Sequence, residues 1–255
     1  MLLIAGCEKE QIVNADEGTQ QLTVVQAEIH PNSNFPGVRI TRTLPVQVPW
    51  TIKAAEITDA IAYLRIDGVK IVPLHYDGEG MYRPLYDFVV AEGSVYELFG
   101  KASGQTFHSL THIPYVPIIL ASHYNPNDSY ADAVIRSRAH EVYSALWQVG
   151  GEAGPKATEF FALTIPTDSL VTSTVMVRSA AFPTAYQGDE YHNARYIQVY
   201  AFDESYEKYF KTKAWSQQVG SPYTSGSGKT EWNVSGENVI GLFIGTAGSA
   251  VTYVP

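Results

Sequence analysis

The run Ser225-Gly226-Ser227-Gly228-Lys229-Thr230 holds the residue types that cradle a phosphate: glycines that free backbone N–H groups, a lysine to meet the charge, and a hydroxyl. A phosphate loop also needs a glycine five positions before Gly228, and Tyr223 stands there. No buried strand leads in, and Asn233 and Gly236 interrupt any helix leading out, so the stretch reads as a flexible loop. Histidines are the next candidates. His108 and His112 share one face of a strand by spacing, and His30, His75, His123, His140 and His192 are the residues that would have to converge on them. Zinc requires three or four converging ligands, which this spacing does not supply, so surface histidines are expected. Asp189-Glu190 and the pair Asp77/Glu79 offer calcium-binding oxygens, yet neither follows the Asp-x-Asp-x-Asp-Gly pattern, and solvated turns account for them. There is no Gly-x-Ser-x-Gly elbow, and spacing alone assembles no Ser-His-Asp set. Trp147, Trp215 and Trp232, with 17 tyrosines, are material for a sugar-stacking or partner-binding platform, though most are expected in the core. No catalytic residue, cofactor site or metal site is therefore assigned.

The elements that would position these groups follow from composition. The 255 residues are 45% hydrophobic and 17% charged, enough for one large β-unit or two units sharing an interface. Lys and Arg number 17 against 26 Asp and Glu, and the net charge of −9 argues against a nucleic-acid partner. A single cysteine, Cys7, excludes an intramolecular disulfide and a multi-cysteine metal site. Many Tyr, Gly and Pro residues, and no apolar run near 18 residues, predict short strands and turns rather than a spanning helix.

Residues 20–116 read as the first β-unit. Val25, Ala27 and Ile29 alternate with Gln26, Glu28 and His30, and Val38-Arg39-Ile40-Thr41 repeats the period of two. Ala62–Ile66 faces Val69–Val72 across Asp67-Gly68, a favoured type I′ turn. A second hairpin is expected around Asp77-Gly78-Glu79-Gly80 and a third around Ala102-Ser103-Gly104. Roughly seven such strands predict an immunoglobulin-like β-sandwich without the cysteine pair. Ile113-Pro114-Tyr115-Val116-Pro117 reads as a connector to a second mostly-β domain over 117–255. There, Thr158–Leu163, Ser173–Val177 and Ala194–Phe202 are strand-like, and Ala131–Ile135 opens either a strand or a helix. Ser205–Gln218 changes to helical period, with Glu204/Lys208 and Glu207/Lys211 spaced i,i+4 and Asp203 or Ser205 as the cap.

The start, Met1-Leu2-Leu3-Ile4-Ala5-Gly6-Cys7, resembles a bacterial lipobox. Acylation of Cys7 is implied, each buried lipid CH₂ contributing about 0.8 kcal/mol to anchoring. A whole signal peptide has an apolar stretch of about 7 to 15 residues, so a truncated start is expected. Residues 1–19 are then signal remnant and polar tether, and Cys7-Glu8-Lys9-Glu10 resembles the signals that send some Bacteroidota lipoproteins to the outer face of the outer membrane. Taken with Val38–Arg42, Glu92–Leu98, Phe202–Tyr209, Asn233–Gly236 and Ile240–Gly245 in that order, the chain resembles the Bacteroidota outer-membrane lipoprotein family called domain of unknown function 4249. The resemblance implies an immunoglobulin-like N-terminal sandwich, a mostly-β C-terminal domain and association with TonB-dependent transport, and it supplies no catalytic residues. The expected function is a non-enzymatic, lipid-anchored accessory or ligand-binding protein beside an outer-membrane transporter. The alternatives are a surface hydrolase acting on glycans and an adhesion or structural module.

Overall fold

The structure is a computed structural model, and it describes residues 21–125, 130–150, 156–157, 173–180, 194–218 and 230–254. Cys7 and its tether, Thr158–Leu163, Asp189-Glu190, His192 and the Ser225–Lys229 loop lie outside the described residues. So do the side chains of Trp147 and Trp215.

The described chain is mostly β, with a large curled sheet and a second small one. Strands β1 (Thr23–Ile29) and β2 (Val38–Arg42) pair antiparallel and bury Val25, Ile29, Val38 and Ile40, one side of the expected alternation. The sequence gives no signal for a one-turn helix, α1 (Ile52–Ala55), which the Thr51 hydroxyl caps by accepting the Ala54 N–H at 3.2 Å. Strands β3 (Ile61–Ile66) and β4 (Lys70–Tyr76) meet across Asp67-Gly68, whose φ values of 51° and 71° are those the turn demands. Strand β4 changes partner part-way. Its residues Lys70–Leu74 pair with β3, while His75 and Tyr76 pair with β5 (Met81–Arg83), the other arm of the second hairpin. Pro73, which has no N–H to give, falls in the stretch paired on one side only. The third hairpin joins β6 (Val95–Ala102) to β7 (Gln105–His112) through Ser103-Gly104.

Beyond the connector come β8 (Ile119–Asn125), β9 (Tyr130–Arg136), β10 (Glu141–Gly150), β11 (Lys156–Ala157), β12 (Thr174–Arg178) and β13 (Ala194–Asp203). The ambiguous Ala131–Ile135 stretch is thus a strand. Helix α2 (Tyr206–Gln218) occupies the expected place, and β14 (Ser235–Gly236), β15 (Val239–Gly248) and β16 (Thr252–Tyr253) complete the chain.

Two cores result. In the first, the β15-β1-β2-β5 layer faces the β4-β3-β6-β7-β14 layer around Val25, Ile40, Leu64, Leu98 and Phe243. In the second, β10 and β13 face the β12-β9-β8 sheet around small residues, Ala131, Ala133, Ala145 and Ala201, with Ile135, Ile197 and Val199. The ladder runs across the connector. Strand β15 pairs parallel to β1 from Val239 to Gly245 and then antiparallel to β13 from Thr246 to Gly248. One strand from the C-terminal stretch therefore closes the first sandwich and continues into the second. Antiparallel hairpins are legible from local turns, but a parallel partner more than two hundred residues away carries no local signal.

Candidate functional site

The outer face of the β5-β2-β1-β15 layer is the floor of a groove of about 600 Å³. Alternation places its residues: Gln26 and Glu28 on β1 point away from the buried Val25 and Ile29, and Leu242 and Ile244 are their neighbours on β15. Across β2, Arg39 stands opposite both Gln26 and Met81. Gly37, at φ 94°, leaves room where a Cβ would sit 2.8 Å from Arg83 Cγ and 2.9 Å from the Tyr82 carbonyl oxygen.

The wall is aromatic. Phe202 at the end of β13 stacks on Tyr206 at 4.5 Å and 14°, Tyr206 contacts Tyr209 at 5.6 Å, and Tyr209 meets Trp232 at 5.3 Å. Helix α2 makes this row possible, because Tyr206 and Tyr209, three apart, share one face. Burial pushes the Tyr206 phenol up to about 12, so it stays neutral and is a donor at any ordinary pH. At the rim, Glu28 Oε1 accepts the Thr246 hydroxyl at 2.9 Å, and His30 Nδ1 lies 2.9 Å from the same hydroxyl oxygen. Of the tryptophans read as platform material, Trp232 is the one that the described side chains place beside a hollow.

A second constellation joins the two sandwiches. His112, at the end of β7, stacks face to face on His140, in the β9–β10 turn, at 4.9 Å and 9°. Each ring has its own carboxylate: Asp203 Oδ2 lies 3.0 Å from His112 Nδ1, and Glu204 Oε1 lies 2.9 Å from His140 Nδ1. Asp203 is almost fully buried and also accepts the backbone N–H groups of His112 at 2.7 Å and Ser205 at 2.9 Å, the latter closing a turn just ahead of α2. Burial alone would raise this carboxyl, but the hydrogen bonds from His112 and Ser205 outweigh it and hold Asp203 below its ordinary value. The hydrogen bond to Asp203 correspondingly raises His112, against the opposing effect of burial. Glu204 turns to His140, so of the two expected i,i+4 pairs the Glu207–Lys211 contact is the one formed.

Next to this clasp, Glu141 is buried and accepts the Tyr143 hydroxyl at 2.6 Å and the Tyr115 N–H at 2.9 Å, while Tyr143 accepts the Arg138 N–H at 2.8 Å. Burial raises the Glu141 carboxyl despite these donors. Tyr143→Phe leaves a buried Glu141 oxygen short of a donor and the Arg138 N–H short of an acceptor, and is expected to lower the urea unfolding free energy by about 1 to 2 kcal/mol.

The other sequence candidates stay apart. His108 lies on the same face of β7 as His112 but packs on Phe99 at 4.6 Å, with Glu97 3.7 Å from its Nε2. Asp77 pairs with Arg83 at 2.7 Å, and Glu79 sits in the turn at φ 51°. Among the described residues, no three His, Cys, Asp or Glu side chains are grouped to hold a metal ion. Asp203-His112 has the orientation of an acid-base pair, and among the described residues its imidazole hydrogen-bonds to Asp203 alone, tying the end of β7 to the end of β13. No family model and no curated protein sequence matches the chain. The groove is a place where the chain's own geometry offers a function. No local motif pointed to it, because it is assembled from five segments between residues 26 and 246.

Proposed function

We propose that this chain is a lipid-anchored cell-envelope protein that binds a ligand without transforming it, as an accessory to a TonB-dependent outer-membrane transporter. The groove under α2 carries the reading. It is lined mainly by apolar and aromatic side chains with a few polar groups among them, the composition of a small-molecule site. Glycan hydrolysis calls for two carboxyl groups about 5 to 5.5 Å or 6.5 to 9.5 Å apart across a cleft. Glu28 is the single carboxylate among the described lining residues, which favours holding a molecule over cleaving one. The anchor rests on the small-residue run into Cys7 and on the polar segment behind it.

Membrane extraction tests the proposal. The N-terminal peptide from detergent-solubilised envelopes is expected to carry acyl chains on Cys7 by mass spectrometry, and a transporter is expected to co-purify with the full chain. Cys7→Ser should move the protein from the membrane to the soluble fraction, because the CH₂ contributions of the acyl chains are lost together. An unmodified thiol on a protein recovered without membrane or transporter overturns the reading.

A further inference from the structure

We infer that the groove takes an amphipathic monocarboxylate, its acid group on Arg39 and its apolar body against the Phe202–Tyr206–Tyr209 wall. The inference rests on the ligand-binding part of the reading above and names the class of ligand.

Arg39 is the decisive residue. Arg65, Arg83 and Arg178 each pair with a carboxylate, at 2.5, 2.7 and 2.9 Å, while Arg42, Arg136 and Arg138 are in no ion pair among the described residues but do not line the groove. Arg39, half-buried in the groove, instead gives its Nε–H to the Met81 thioether at 3.4 Å, a weak acceptor, and is in no ion pair among the described residues. The residue is partly exposed to the groove, and the fork of guanidinium N–H donors matches the two oxygens of a carboxylate. General anion attraction does not explain such a site, since the chain carries a net charge of −9.

The layout fixes the rest of the ligand. From β2, where Arg39 stands, the floor crosses β1 to β15, a reach of about 10 Å at ordinary strand spacing. That distance is filled by Gln26, Leu242 and Ile244 and ends at the aromatic wall, so the acid group and the apolar body must lie at opposite ends of the molecule. Glu28 lies two residues along β1 from Gln26, its side chain 61% exposed and anchored by Thr246. Its charge opposes a second acid group at that end, which selects a monocarboxylate over a dicarboxylate.

Titration calorimetry on the full chain with 4-phenylbutanoate and with octanoate tests this, the two arms distinguishing an aryl from an alkyl body. Each acid is compared with its neutral amide. Saturable binding of at least one acid is expected, with the amide weaker by about tenfold or more, the size of one charge-assisted fork. Arg39→Gln should weaken the acid by about tenfold and leave the amide unchanged. Lys70→Gln removes the same charge at a residue that covers the Phe88 ring outside the groove, and should bind like the parent. The urea midpoint of each variant establishes that it is folded. Absence of saturable binding by both acids, equal binding of acid and amide, or an Arg39→Gln chain that binds like the parent overturns the inference. None of these outcomes bears on Cys7 acylation or transporter co-purification, so the two proposals fail separately.

Discussion

Gly241→Ala is expected to lower the unfolding free energy by about 3 kcal/mol or more, a large part of the 5 to 15 kcal/mol that holds an ordinary domain together. Gly241 lies in β15 directly beside Val25 of β1, at φ 151°. A Cβ there would sit 1.9 Å from the Val25 carbonyl oxygen and 2.7 Å from its carbon. No rotamer relieves such a contact, because the obstacle is the backbone of a neighbouring strand, so the methyl group must push β1 and β15 apart. The parallel ladder from Val239 to Gly245 depends on that approach, and so does the floor of the groove, which Leu242 and Ile244 share with Gln26 and Glu28. Gly104→Ala separates the two contributions. Gly104 is also at positive φ, 81°, but nothing lies within 4 Å of its would-be Cβ, so backbone strain alone remains, about 1 to 2 kcal/mol. Urea titrations of both variants decide the matter: similar losses would mean that strain, rather than strand contact, sets the requirement for glycine at 241.

The same residue shows what a linear reading can and cannot reach. Asp67-Gly68, Gly78 to Gly80 and Ser103-Gly104 announce their hairpins because turn chemistry is local: residues tolerant of positive φ sit between two alternating runs. Helix α2 is legible for a similar reason, since a turn residue ahead of its start, an i,i+4 pair and a change of period fall within one segment. Gly241 looks like one more glycine in an apolar run. Its role is set by Val25, and no rule of spacing connects the two. The groove suffers the same fate. Arg39 reads in sequence as the polar member of an alternating strand, and only the placement of Met81 rather than an acid across the ladder marks it as a cation in no ion pair among the described residues. Trp232 and the tyrosines read as platform material, and Tyr206 and Tyr209 share a helical face by spacing, but that face reads equally well as a core stripe, and nothing local says that it meets Trp232. His112 and His140 were each visible as candidates. Their meeting depends on the β7 end and the β9–β10 turn being brought together by β13, which supplies Asp203.

Asp203→Ala is expected to cost about 3 kcal/mol near pH 6, and the cost should shrink on both sides of that pH. The side chain is 2% exposed and answers three donors: the His112 ring, the His112 N–H and the Ser205 N–H. Removing it leaves the two backbone donors without their acceptor, and a buried imidazole face loses the anion that favours its charge. The pH dependence follows from the two shifts. His112 is raised above its ordinary 6.5, so its contribution is complete below 6.5 and is lost as pH rises through the higher folded value. Asp203 is depressed below its ordinary 3.8, so its contribution is complete above 3.8 and is lost as pH falls through the lower folded value. The charged pair is therefore fully effective between about 3.8 and 6.5. Glu141, raised by burial, adds a slope of its own, favouring the fold at the acid end. It is present in parent and variant alike, so subtracting one stability curve from the other removes it. Glu204 and His140, which face His112 from the other side, are likewise unchanged between the two proteins. Asp203→Asn keeps the size and one acceptor while removing the charge, so it should cost less than Asp203→Ala, and the parent-minus-Asn difference should show the same fall on both sides of pH 6. Chemical unfolding from pH 3 to pH 9 measures all three chains. A parent-minus-variant difference that stays flat from pH 5 to pH 9 would show that neutral hydrogen bonding, not the imidazolium–carboxylate pair, joins the two sandwiches at this point.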